Sequence, residues 1–158
     1  MKKHFAILAM AGTLTLLSCN AADKKTNAET TPVAADSKMV KIEFSGTENF
    51  TIKNPKLKVS LYGSDPTLAD VPATLITEKE FEQTSVPFTI DLPVPNDAAS
   101  KITPSSKGPA KYYVGVEWDS DGNGKANEKG DIFIDHDKQF PNVKLDGETQ
   151  KVYLKVLK

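Results

Sequence analysis

Between Lys56 and Tyr62 the chain reads Lys-Leu-Lys-Val-Ser-Leu-Tyr. On an extended backbone Leu57, Val59 and Leu61 share one side, and Lys56, Lys58 and Ser60 share the other. A period of two is what a strand with one wet face and one buried face requires. The pattern returns along the chain. Val40, Ile42 and Phe44 alternate with Lys41 and Glu43, and Phe88, Ile90 and Leu92 alternate within Val86–Leu92. Tyr112, Val114, Val116 and Trp118 form another inward set, and Val152, Leu154 and Val156 another within Thr149–Leu157. Asp131–Asp135 reads as a short strand, and Phe50 with Ile52 as a further one. Ala73–Phe81 fits neither period cleanly and is assigned as a strand from its context.

No helical period persists for three turns in this part of the chain, and Pro and Gly punctuate the strands. The expected fold is therefore all-β. It is a single immunoglobulin- or transthyretin-like β-sandwich over residues 39–158. Pro87, Pro93 and Pro95 suit an edge strand, because proline donates nothing to a ladder.

The first 18 residues have a different character. Lys2 and Lys3 precede an apolar run from Phe5 to Leu17, which ends at Ser18-Cys19. A basic start and a short apolar run are the layout of a secretory signal peptide, too short to span a bilayer comfortably. Residues 19–38 are rich in Ala, Thr, Lys and Asp and offer almost nothing to bury, so a disordered tether is expected. Its root-mean-square reach would be roughly 25 Å.

Composition excludes some functions. All 20 basic residues are Lys and none is Arg. Once Lys2 and Lys3 leave with the leader, 18 lysines face 21 acids, a net charge of −3. With no basic stripe and no guanidinium fork, nucleic acid is excluded as a partner. Cys19 is the single cysteine, so no internal disulfide can form.

Leu16-Leu17-Ser18-Cys19 resembles the bacterial lipoprotein box. The resemblance implies that Cys19 is lipidated, with palmitate among its acyl chains, and becomes the first residue of the mature protein. In Gram-negative sorting, Asp after the cysteine favours the inner membrane. Asn20 therefore points to the outer membrane, with the domain in the periplasm or at the cell surface. The order of the downstream segments carries a second resemblance. The strand Leu57–Leu61, then Asp70-Val71-Pro72-Ala73, then Val86-Pro87-Phe88, then a Tyr-led strand at Tyr112, is similar to small outer-membrane lipoproteins of the YbaY and YscW kind. That family includes pilotins of type III secretion. It implies a β-sandwich that assists assembly of an envelope protein.

The most informative polar segment runs from Asp119 to Asp131. Its opening, Asp-Ser-Asp-Gly-Asn-Gly, matches the D-x-D-x-N-G start of a calcium loop. Calcium takes six to eight hard oxygens, and alternating acids can converge on one centre. Asp119, Asp121 and Asn123 would give side-chain oxygens, Lys125 its carbonyl, and Glu128 and Asp131 the remaining carboxylates. The twelfth residue, where an EF-hand has its bidentate acid, is Gly130, and strands replace the helices. The expectation is a calcium loop set in a β-hairpin. Seven acids between Glu117 and Asp137 face only Lys125 and Lys129, a cluster that repels itself unless a cation sits in it. The competing reading is a solvated turn built from ordinary turn residues.

His136 lies between Asp135 and Asp137 and reads as an exposed loop histidine. Tyr113 and Tyr153 point away from the core face and are candidates for a contact surface. Lys41, Lys56 and Lys58 read as solubilising charges. The functional expectation is a non-enzymatic, membrane-anchored binding or assembly-assisting module with an envelope protein as partner. The alternatives are a calcium-dependent glycan or ligand binder and a hydrolase using paired carboxylates in the acidic segment.

Overall fold

The computed structural model describes residues 37–105 and 108–158. The leader, Cys19 and the tether up to residue 36 lie outside the described residues. Eight strands follow in order: β1 (Ser37–Ser45), β2 (Lys56–Ser64), β3 (Thr74–Glu82), β4 (Phe88–Pro95), β5 (Lys111–Trp118), β6 (Ile132–Ile134), β7 (Asn142–Val143) and β8 (Gln150–Val156). A one-turn 3-10 helix, Ala98–Lys101, follows β4.

The strands form two four-stranded sheets, ordered β4-β1-β8-β6 and β3-β2-β5-β7. Apart from β3, the long strands turn their apolar alternates inward. From the first sheet come Ile42, Phe44, Leu92, Ile132, Ile134 and Val152, and from the second Leu57, Val59, Leu61, Val114, Val116 and Trp118. They make one buried cluster between two facing sheets, the arrangement of a sandwich. The all-β expectation holds, and so does the inward assignment of the alternating sets.

The differences are local. Phe50 and Ile52 form no strand, although both pack against the core. β1 begins at Ser37, so Ser37 and Lys38, expected in the tether, pair with Pro95 and Val94. Lys38 Nζ also donates to the Leu145 carbonyl at 3.3 Å. Ala73–Phe81 fitted no clean period because Ile76 sits at a bulge opposite Leu61/Tyr62, which breaks the alternation within β3. The prolines of β4 do lie on an edge strand.

Two features matter for the loop that follows β5. Trp118, 1% exposed, ends that strand, and its indole N–H donates to the Asn54 carbonyl at 2.8 Å. The Phe88 ring meets it edge-on at 6.0 Å. β5 and β6 belong to different sheets, so the chain between them must cross the end of the sandwich.

Candidate functional site

That crossing is the acidic segment Asp119–Asp131. It is an arch between sheets, not the β-hairpin expected from sequence. The reason is that β6 finds its partner in β8, with Ile132, Phe133 and Ile134 opposite Val156, Lys155 and Leu154.

The arch is pinned at both ends. At its start the Ser120 carbonyl accepts from the backbone N–H groups of Lys53 at 2.8 Å and Asn54 at 3.3 Å. At its end Gly130 N–H donates to the Leu157 carbonyl, and Leu157 N–H to the Asp131 carbonyl. Between these points Asp131, fully buried, joins the two halves. Its Oδ1 accepts from Ser120 Oγ at 3.3 Å and from Asp121 N–H at 3.2 Å, and its Oδ2 from Glu128 N–H at 3.0 Å. Ser120 Oγ in turn accepts from Ile132 N–H at 2.8 Å. A buried carboxylate is tolerable only when such donors replace its lost water.

The exposed half is a run of backbone donors folded over side-chain oxygens. Asp119 Oδ1 accepts from Asn123 N–H at 2.9 Å, and its Oδ2 from Gly124 N–H at 3.0 Å. Asp121 Oδ1 accepts from Asn123 N–H at 3.0 Å. Gly122, Gly124 and Gly130 all have positive φ. At Gly130 the need is strict: a Cβ there would stand 3.0 Å from Asp121 Oδ2 on a backbone at φ 104°.

The structure brings together three of the six residues proposed as ligands. One carboxylate oxygen each from Asp119, Asp121 and Asp131 lies within 4.8 Å of the others. Asn123 turns its amide nitrogen to Asp121 Oδ2 at 3.1 Å and its oxygen to Lys125 N–H at 2.9 Å. To ligate through oxygen its amide would have to rotate. Glu128 pairs with the Lys125 ammonium at 3.5 Å and stands outside the converging set. Ser120 is the residue that sequence reasoning missed. A serine between two aspartates reads as a spacer, and only its burial makes it part of the arch.

Elsewhere, His136 is exposed, and its ring lies 5.8 Å from both Phe133 and Phe140. Tyr113 stacks on Tyr62 at 5.4 Å, and burial raises its hydroxyl pKa, with Tyr62 adding to the shift. Tyr153 carries the Lys138 ammonium 4.1 Å above its ring. A cleft of about 180 Å³ is lined by Ser64, Asp65, Leu68, Val71, Ile102 and Thr103, none of them from the acidic arch.

No family model matches the sequence, and no curated protein matches it. Among solved structures, an alternative pilotin from the type II secretion system of Vibrio cholerae aligns with a TM-score of 0.51 at 18% identity. The alignment covers 78% of this chain and 99% of that one. The likeness is one of fold.

Proposed function

We propose that this chain is an outer-membrane lipoprotein, anchored through Cys19, whose sandwich binds an envelope protein and assists its assembly without catalysing a reaction. The observation that carries this reading is the likeness of fold to the type II secretion pilotin over 99% of that protein's length. The lipoprotein box at Leu16–Cys19 supports the anchor. Holding the domain at the membrane raises its effective concentration near membrane partners, so a modest interface suffices.

The test is made in the native envelope with the full chain and with Cys19→Ser. The wild-type chain is expected in the outer-membrane fraction with an acylated N-terminal cysteine by mass spectrometry. It should co-purify with one envelope protein whose assembly falters when the chain is deleted. A bare thiol, or membrane retention of Cys19→Ser, overturns the anchor. Normal assembly of envelope complexes in the deletion strain overturns the assisting role.

The same reading assigns calcium to Asp119, Asp121 and Asp131. Three converging carboxylates and an oxygen-rich arch fit a hard divalent cation, which would offset their mutual repulsion. With a dissociation constant near 10⁻⁴ M, millimolar calcium would add about 1.4 kcal/mol of stability. That corresponds to a melting shift of roughly 6 °C for a domain of this size. A melt that is the same in calcium and in chelator, and equally indifferent in Asp121→Ala, removes the ion.

A further inference from the structure

The outer face of the second sheet carries a row that crosses all four of its strands. Leu75 on β3 stands opposite Tyr62 on β2, Tyr62 opposite Tyr113 on β5, and Tyr113 opposite Asn142 on β7. The tyrosine rings stack, and Phe140 meets Tyr113 edge-on at 5.5 Å. Tyr62 also fits closely over β5, where a Cβ on Gly115 would come within 2.9 Å of its ring. The row ends in solvent, with Leu75 46% and Phe140 50% exposed. Leu75 faces outward because of the bulge, which turns Ile76 into the core at 8% exposure.

Acidic charge flanks this row on one side, and Lys111 of β5, opposite Ser64, lies on the other. Along the same outer face lie Glu78, Glu80 and Glu82 of β3 and Glu117 of β5, with Lys56 and Lys58 of β2 between them. Lys58 is already engaged by Glu117 at 2.8 Å, and acids outnumber lysines. Burial of Leu75 and Phe140 would favour a partner with apolar side chains, and the acidic flank favours one that carries cations. An anionic lipid surface is disfavoured by the same charges. Three strand spacings make the row about 14 Å long and one side chain wide, an area far smaller than the roughly 800 Å² per partner of a standard protein interface. The fit is to a short segment, not to a second folded domain.

We propose that the row Leu75–Tyr62–Tyr113–Phe140 is a docking surface for a short amphipathic polypeptide segment with apolar side chains on one face and Lys or Arg beside them. This deepens the assembly-assisting reading and rests on it for placing that segment in an envelope protein. Complementary charge would set the orientation of the segment, and the aromatic row would supply the contact.

The test uses the full chain carrying Cys19→Ser, so that no detergent competes for the probe. The probe is a fluorescein-labelled Leu/Lys amphipathic peptide of about three helical turns, with a counterpart in which Glu replaces Lys. The Lys peptide should bind at least tenfold more tightly than the Glu peptide. Leu75→Ser with Phe140→Ser should weaken it at least tenfold, and Glu80→Lys several-fold. Lys41→Ser, on the other sheet, should leave it unchanged. Equal binding of the two peptides, or binding unmoved by the two serines, overturns the proposal. So does a row whose substitution alters only self-association or uptake of phosphatidylglycerol vesicles. The two readings fail differently in the native envelope. If the double-serine chain still co-purifies with the wild-type partner, this surface is wrong and the adaptor stands; if the wild-type chain has no partner, the adaptor itself falls.

Discussion

At the scale of single residues, Asp131 decides whether the acidic arch has a shape of its own. Its carboxylate is fully buried and accepts from Ser120 Oγ and from two backbone N–H groups, so the arch is tied together by hydrogen bonds whether or not calcium is bound. Asp131→Ala would strand three donors, an expected loss of about 3 kcal/mol in unfolding free energy. The loss should persist in chelator and appear as a lower denaturant midpoint with an unchanged slope. Asp121 is half-buried and close to solvent, and Asp121→Ala in chelator should cost under about 1 kcal/mol. The spacing of Asp119, Asp121 and Asn123 was legible because alternate residues of a turn can converge. That Glu128 would leave the set for Lys125 was not legible, because both rotamers satisfy the same sequence.

Among the elements, the edges carry the most information. β4 is an edge strand, and Pro93 and Pro95 leave gaps in the donors it could offer to another chain. β3, an edge of the other sheet, is guarded differently. Lys79 stands opposite Val59, on the side of the strand that faces inward, with its ammonium 5.3 Å from the Phe81 ring. An inward-pointing charge at an edge disfavours pairing with a second sheet. Lys79→Ile should therefore raise concentration-dependent association, seen by light scattering at fixed ionic strength, without lowering the melting temperature. An unchanged association state would show that the bulge alone protects this edge. The period of two placed β1, β2, β4, β5 and β8 from sequence. β3 was recognisable only from its neighbours, because its bulge breaks the period on which such a reading depends.

For the whole molecule, closure depends on the two ends of the domain. β1 and β8 lie side by side and parallel, with Ile42–Ser45 against Gln150–Tyr153. Beyond this pairing, Glu48 Oε2 accepts from Val156 N–H at 2.6 Å, and its other oxygen meets the Lys158 ammonium at 3.3 Å. The Val156 N–H first, and then Lys158, hold the Glu48 carboxyl below its ordinary value of 4.5. A carboxyl lowered by folding stabilises above its unfolded pKa, and that contribution fades as pH falls through the lower folded value. The protection factor of the Val156 amide, its exchange taken relative to the intrinsic rate at each pH, should accordingly fall below about pH 4.5, ahead of amides in β2 and β5. Glu48→Gln should flatten that pH dependence, and an unchanged profile would exclude the latch.

By itself the sequence determined the class of fold, the inward face of most strands and the convergence of Asp119 with Asp121, because each is written in local periodicity or spacing. Tertiary structure alone decided that β1 pairs in parallel with β8, that the acidic segment arches between sheets, and that Leu75, Tyr62 and Tyr113 line up across three strands with Phe140 beside them. Those outcomes depend on register and on one bulge, and both are set by the fit of the whole core, not by any single stretch of chain.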